Sequence, residues 1–259
     1  PRSTLERSSA ASDVYKRQVI DTNPGYITLS SFKKGEAGGK NLGVLTLSEV
    51  ISKSSQVGIA KIAVELDTLQ IRENLWSFGI ARGWDIDWPS INFGHILDRP
   101  KFYDIDKASI GYGYLINANL LQIARAYSVF GNDGFRIEPR LTFDHKPEIE
   151  KVLEKDNADF ILKALRETVT DGTAKNLKNS SVSIAGKTGT AEKYIVGEGY
   201  ANDRYVSSFA GIFPYEQPQF VMVITIDEPD PNNYYGGQVS APIVQRMSEF
   251  MNSNNFISE

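Results

Sequence analysis

Three extended, apolar-rich segments follow one another without a helix between them: "VSIAGKTGTAEKYIV", "RYVSSFAGIFP" and "QFVMVITIDEP", from Val182 to Pro229. Strands joined by short turns pair with their neighbours, so the expectation is an antiparallel meander. A sheet with an apolar face must be covered, and the flanking sequence supplies helices for that. Upstream, "ADFILKALRETV" carries the 3.6-residue period. Downstream, "SAPIVQRMSEFM" reads as a closing helix, with Ser240 as its cap and Pro242 in its first turn.

The first half is helical in character. "TLSE" offers a capping box, Thr46 with Glu49, for a helix that breaks around "KSSQVG" and resumes through "IAKIAVEL". "TLQIRENLWSFGI" reads as an amphipathic helix. "NANLLQIARAYSVFGNDG" is apolar nearly all round and is expected to be a buried helix ended by Gly131 and Gly134. Between these two, the aromatic, turn-rich stretch from Ala81 to Asp104 reads as a long surface excursion. Residues from Val19 to Lys40 are extended and broken by turns. Helices, then a meander, then a helix give an α+β class without internal repeats.

Bulk properties exclude several functions. At 259 residues and 41% hydrophobic, the chain can bury one core, or a core plus a smaller lobe. A net charge of −4 without a Lys/Arg stripe argues against a nucleic-acid binder. The absence of cysteine excludes disulfides and thiolate metal sites. His95 and His145 stand far apart without ligand-type neighbours, so neither a metal centre nor a Ser-His-Asp triad is expected, and no cofactor. No apolar run approaches the ~20 residues of a membrane span. Pro1 to Gln18 has no periodicity and is read as a disordered, non-native leader, leaving residues 19–259 as a single domain.

The stretch "SVSIAGKTGTAEK", Ser181 to Lys193, carries the chemistry. A Gly-Lys-Thr triplet serves either a phosphate loop or a carboxylate-gripping strand. A phosphate loop needs glycine where Ser181 stands and a helix after the lysine, whereas strand continues here. On an edge strand, Gly189 lets an extended ligand approach the backbone, Thr188 and Thr190 supply hydroxyls, and Lys187 supplies positive charge. Alternation puts Lys187 and Gly189 on one face and the threonines on the other, so one site can use them all only along the strand's edge.

Lys-Thr-Gly is also one of three elements of penicillin-binding proteins and β-lactamases. The chain resembles class B penicillin-binding proteins, the monofunctional transpeptidases of the division septum, in four blocks in order. "LSEVISKSSQVGIAKIA" is similar to the segment around that family's Ser-Ser-Asn-Val-Gly. "ASIGYGYLINANLLQIARAYSVFGNDG" is similar to its Gly-Tyr-Gly segment, "AGKTGTAEK" to its third motif, and "YYGGQVSAPIVQRM" to its closing segment. The resemblance implies the penicillin-binding-protein/β-lactamase-like fold, an antiparallel sheet covered by helices with a helical lobe. It implies that Ser54 relays a proton and that Gln56 holds the substrate's peptide group. Lys187 would link to Ser54, and Thr188 and Thr190 would contact the carboxylate of a D-Ala-D-Ala stem or of a β-lactam. The Thr190 N–H would form half of an oxyanion hole.

Two departures stand out. Gln56 occupies the place of the family's asparagine, and its extra methylene moves the amide by roughly 1.5 Å. The family's acylated serine lies in Ser-x-x-Lys, a spacing found here only at Ser30–Lys33 and Ser31–Lys34, in a polar hairpin-like stretch that suits neither. The chain is therefore expected to be an N-terminally truncated transpeptidase domain, inactive alone. From the resemblance come the remaining expectations: septal peptidoglycan cross-linking, division-complex membrane partners, and a parent anchored with this domain on the periplasmic face. The competing readings are a β-lactamase or β-lactam sensor, and a non-catalytic division scaffold of the same fold.

Overall fold

The computed structural model describes residues 18–86, 88, 90–144, 146–195, 197 and 199–258. Residues 1–17 of the expected leader, and His145, lie outside the described residues.

The chain opens with β1 (Val19–Asp21), the hairpin of β2 (Tyr26–Leu29) and β3 (Phe32–Gly35), and β4 (Val44–Thr46), which returns to pair with β1. Thr46 then starts α1 (Leu47–Ser52) through the expected capping box. Its hydroxyl accepts the Glu49 N–H, and the Glu49 carboxylate accepts the Thr46 N–H at 2.9 Å. α2 (Gln56–Val64) follows the break, with Ser55 Oγ accepting the Gly58 N–H at 2.9 Å. It begins three residues ahead of the apolar run "IAKIAVEL", because the Ser55 cap sets its start.

α3 (Thr68–Ser77), the short strand β5 (His95–Ile96), α4 (Asp104–Gly111) and β6 (Ile116–Asn117), paired with β5, build a helical lobe. Its small core is Ile71, Phe102 and Ile110. α5 (Leu120–Ser128), the paired strands β7 (Phe135–Ile137) and β8 (Ile149–Lys151), and α6 (Lys155–Thr170) lead to the meander. There β9 (Ala185–Ile195), β10 (Gly199–Phe213) and β11 (Phe220–Asp227) form one antiparallel sheet in the order β11-β10-β9. α7 (Gly236–Val239) runs into α8 (Ala241–Ser253).

Alternation along β10 divides the main core between two faces. Phe209 and Phe213 pack with Val244 of α8 on one face, and Ile212 packs with Leu162 and Leu165 of α6 on the other. Helices therefore cover both faces of the sheet, and β9 stays at its edge.

Three expectations are corrected. α5 is not apolar all round: Leu120 is 46% exposed, while Gln122 and Arg125 are buried. The chain after α3 turns inward with its carbonyls, and buried carbonyls need donors. Gln122 Nε2 donates to Gly79 O at 3.2 Å, and Arg125 donates to Gly79 O and to Arg82 O. The stretch from Ala81 is likewise no free excursion. The Trp84 indole N–H donates to Pro139 O at 3.0 Å, Arg125 lies over its ring, and Phe102 is 1% exposed. Finally, Ser240 does not cap α8. Its backbone is already helical because α7 precedes it, and its hydroxyl donates instead to Ser207 O at 2.8 Å.

Candidate active site

Two pieces of the chain meet: the break between α1 and α2, and the first half of β9. At the break Ser54 takes a left-handed conformation, φ +56°, which lets the chain stop one helix and start another within three residues. In that turn its hydroxyl is reached by the Lys187 ammonium, which donates to Ser54 Oγ and, at 3.1 Å, to Thr188 O. Among the described residues no carboxylate pairs with Lys187. Burial of an ammonium without a counter-charge disfavours the charged form, and it brings the Lys187 pKa down to about 8.

β9 is the outermost strand of its sheet, and its backbone directions resolve the alternation problem. In an antiparallel strand, alternate residues turn both N–H and C=O to the same side. The Glu192 N–H donates to the Tyr114 hydroxyl at 3.4 Å, outside the sheet, and Thr188 O receives the Lys187 ammonium. Residues 188, 190 and 192 thus present their backbone groups to the open edge. The N–H and C=O of Thr190 face the cleft, beside an exposed Gly189.

The threonine hydroxyls are tied to neighbours that the sequence did not single out. Thr188 Oγ1 and Thr173 Oγ1 are 2.7 Å apart, and Thr190 Oγ1 accepts the Gly236 N–H at 3.0 Å. An oxygen that accepts from the backbone keeps its own proton to give, so Thr190 remains a donor toward the edge. Gly236 seats directly on the sheet: a Cβ there would lie 2.3 Å from Ser208 O and 2.4 Å from Gly189 O. Only glycine fits this approach.

Gln56 begins α2, and among the described residues its carboxamide has no hydrogen-bond partner. Its position comes from Glu36, another residue missed in the sequence. This carboxylate, 5% exposed, accepts the hydroxyl of Ser55 with one oxygen and the Gln56 N–H with the other, the latter at 2.7 Å. The residues of the break are thereby fixed from beneath. An acid in a glycine-rich turn carries no periodic signal, and only its buried partners reveal it. Both Ser-x-x-Lys matches fall at the β2–β3 hairpin, where Ser30 and Ser31 form the turn and line an open groove with Lys101 and Lys107. Lys33 lies over the Tyr26 ring, 3.5 Å from its centroid. His95 is exposed in β5, and among the described residues no group of His, Asp and Glu is placed to hold a metal ion.

Residues 10–249 match the penicillin binding protein transpeptidase domain. The chain belongs to that family. Among relatives, it is 32% identical over 243 residues to a probable peptidoglycan D,D-transpeptidase PbpC of Pseudomonas aeruginosa, covering 92% of this chain and 42% of that one. To peptidoglycan D,D-transpeptidase FtsI of Escherichia coli K12 it is 29% identical over 203 residues, 77% of this chain and 34% of the other. The chain thus spans less than half the length of these relatives. The transpeptidase domain of penicillin-binding protein 3 from Burkholderia pseudomallei superposes with a TM-score of 0.84 at 28% identity, over 93% of this chain and 73% of that one. Penicillin-binding protein 3 of Mycobacterium tuberculosis, in complex with ampicillin, gives 0.81 at 25% identity, over 97% of this chain and 61% of that one. The expected fold class and the resemblance to this family are borne out.

Proposed function

We propose that this chain is the larger part of the catalytic domain of a serine-type peptidoglycan D,D-transpeptidase, acting in septal cell-wall synthesis. The names of its relatives support the peptidoglycan D,D-transpeptidase part of that reading. The observation that carries the reading is the Lys187–Ser54 contact beside the open edge of β9.

The ligand is an extended peptide ending in D-Ala-D-Ala, or a β-lactam that mimics it. Its terminal carboxylate accepts from Thr188 and Thr190, in the field of Lys187, and the outward backbone of Thr190, beside the small Gly189, admits its main chain. A serine of the parent protein, absent from this chain, attacks the carbonyl of the penultimate D-Ala. The oxyanion that forms is met by the Thr190 N–H, a donor already aimed at the cleft. Ser54 passes a proton to the departing D-Ala amine and recovers one through Lys187, whose pKa of about 8 suits it to proton transfer near neutral pH. The Gln56 carboxamide holds the donor's peptide group. An amine of a second stem then attacks the acyl-enzyme, forming the cross-link and releasing the serine. In the parent, the domain lies on the periplasmic face of the cytoplasmic membrane with division proteins as partners. Among the described residues no helix is long and apolar enough to cross a membrane.

Incubation with fluorescent penicillin and with an acyl-D-Ala-D-Ala peptide tests this. The expected result is saturable non-covalent binding of both, with no mass shift of the chain. A covalent adduct on Ser30, Ser31 or Ser54 would overturn the assignment of the nucleophile. Absence of all binding would favour a scaffold that has lost the site.

A further inference from the structure

The sheet has two open edges. β9, at one side, is the proposed ligand edge, and among the described residues no strand pairs with the free side of β11 at the other. The two edges differ in chemistry. β9 carries Lys187, Glu192 and Lys193, and the Tyr114 hydroxyl closes its far end. β11 runs "FVMVITI" from Phe220 to Ile226, without charge, glycine or proline, in unbroken register with β10. Edge strands of folded proteins carry lysines, prolines or bulges that stop a further strand from adding. β11 has none of these.

The backbone fixes which groups are free. The Glu228 N–H donates to Tyr205 O at 2.9 Å, so the even-numbered residues of β11 bond to β10. Val221, Val223, Thr225 and Asp227 therefore turn their N–H and C=O outward. The even-numbered side chains lie on the α8 face, where Met222 and Ile224 pack with Met251 and Ile257, while Phe250 and Phe256 remain exposed. The C-terminal tail stays beside the start of the strand, because Gln219 Nε2 donates to Ser258 O at 2.8 Å.

This edge is complementary to itself. A two-fold axis at Ile224 sets β11 antiparallel to a second β11, with Val221 opposite Asp227 of the other copy and Val223 opposite Thr225. All four residues belong to the outward set, so each pair closes both of its N–H···O bonds. Ile224 meets its own copy, and Met222 meets Ile226. The two Asp227 carboxylates fall at opposite ends of the ribbon, each already paired with its own Lys193 at 2.8 Å. No like charges face each other.

We propose that the open edge of β11 is an interface between two copies of this chain, joined antiparallel so that their two three-stranded sheets become one. β9 then lies at both outer edges, and both clefts stay open. An interface of one strand pair and its flanks belongs to the small, transient class, so its dissociation constant is expected in the micromolar range, on the order of 1–100 µM.

Sedimentation equilibrium of the 259-residue chain, from about 1 to 300 µM, tests this. The mass should rise from the 28.8 kDa of one chain to twice that value and stop. Over the same range, amide hydrogen exchange should slow at Val221, Val223, Thr225 and Asp227. It should stay unchanged at Met222, Ile224 and Ile226, which β10 already holds. Thr225→Lys and Val223→Glu should each remain monomeric, and their equimolar mixture should form the heterodimer, because the two substituted positions face each other. A wild-type chain that stays monomeric, growth past the dimer, or slowing at other amides would overturn the proposal. So would a monomer whose four outward amides are already slow, since another segment would then cover the edge. If either variant loses its fold by circular dichroism, the exchange pattern of the wild type decides alone.

Discussion

Lys187 should make the stability of the folded chain rise with pH in a window where most proteins are losing it. Its ammonium is buried against Ser54 without a carboxylate, and its pKa falls from 10.5 to about 8. Below pH 8 the lysine is protonated in both folded and unfolded states, and folding must bury the charge. Between pH 8 and 10.5 the unfolded chain keeps a proton that the folded chain has released. The unfolded state then binds more protons, so unfolding free energy increases with pH. The shift corresponds to about 3 kcal/mol across the window, at roughly 1.4 kcal/mol per pH unit of displacement. Lys187→Met keeps most of the side-chain volume and removes the titration. Urea denaturation of both proteins at pH 7, 8, 9 and 10 isolates the effect, because other titrating groups cancel in the difference. Wild type should gain on the variant by up to about 3 kcal/mol as pH rises from 8 toward 10.5. A difference that stays flat, or that falls, would refute the claim that this ammonium is buried unpaired.

Other perturbations probe the supports of the same site. Glu36→Ala leaves the buried Ser55 hydroxyl and the Gln56 N–H without their acceptor. It should cost about 1–3 kcal/mol by urea denaturation and should move the Ser54 amide resonance. Gly236→Ala places a Cβ 2.3 Å from a backbone oxygen of β10, so α7 must lift from the sheet. Overpacking of this kind costs about 1–3 kcal/mol, and binding of a D-Ala-D-Ala peptide should weaken with it. Arg125→Leu strips donors from the buried carbonyls of Gly79 and Arg82. The thermal midpoint should drop, and proteolysis should cut first in the chain following α3.

The meander was legible because three alternating runs lie a turn apart, and "TLSE" announced α1 because the capping box is a local interaction. The candidate site's run on β9 was legible for a different reason, since Lys187 to Thr190 are contiguous and need no distant partner to be recognised as a motif. What escaped was polar and long-range. Gln122 and Arg125 sit where an apolar pattern suggests only core, because carbonyls some 40 residues earlier require them. Ser240 has the composition of a cap, but the turn of helix before it and the Ser207 carbonyl claim it. Glu36 and Thr173 support the site from segments 20 and 15 residues away from their partners, and no periodicity encodes such a pairing.

In the proposed function, the open edge of β9 holds the free carboxylate of D-Ala-D-Ala. Backbone amide NMR during titration with an acyl-D-Ala-D-Ala acid, and in parallel with its C-terminal amide, tests it most directly. Saturable shifts centred on Ser54, Gln56, Thr188, Gly189 and Thr190 are expected with the acid, and markedly weaker ones with the amide. Equal responses to the two peptides, or shifts confined to residues away from β9, would contradict it.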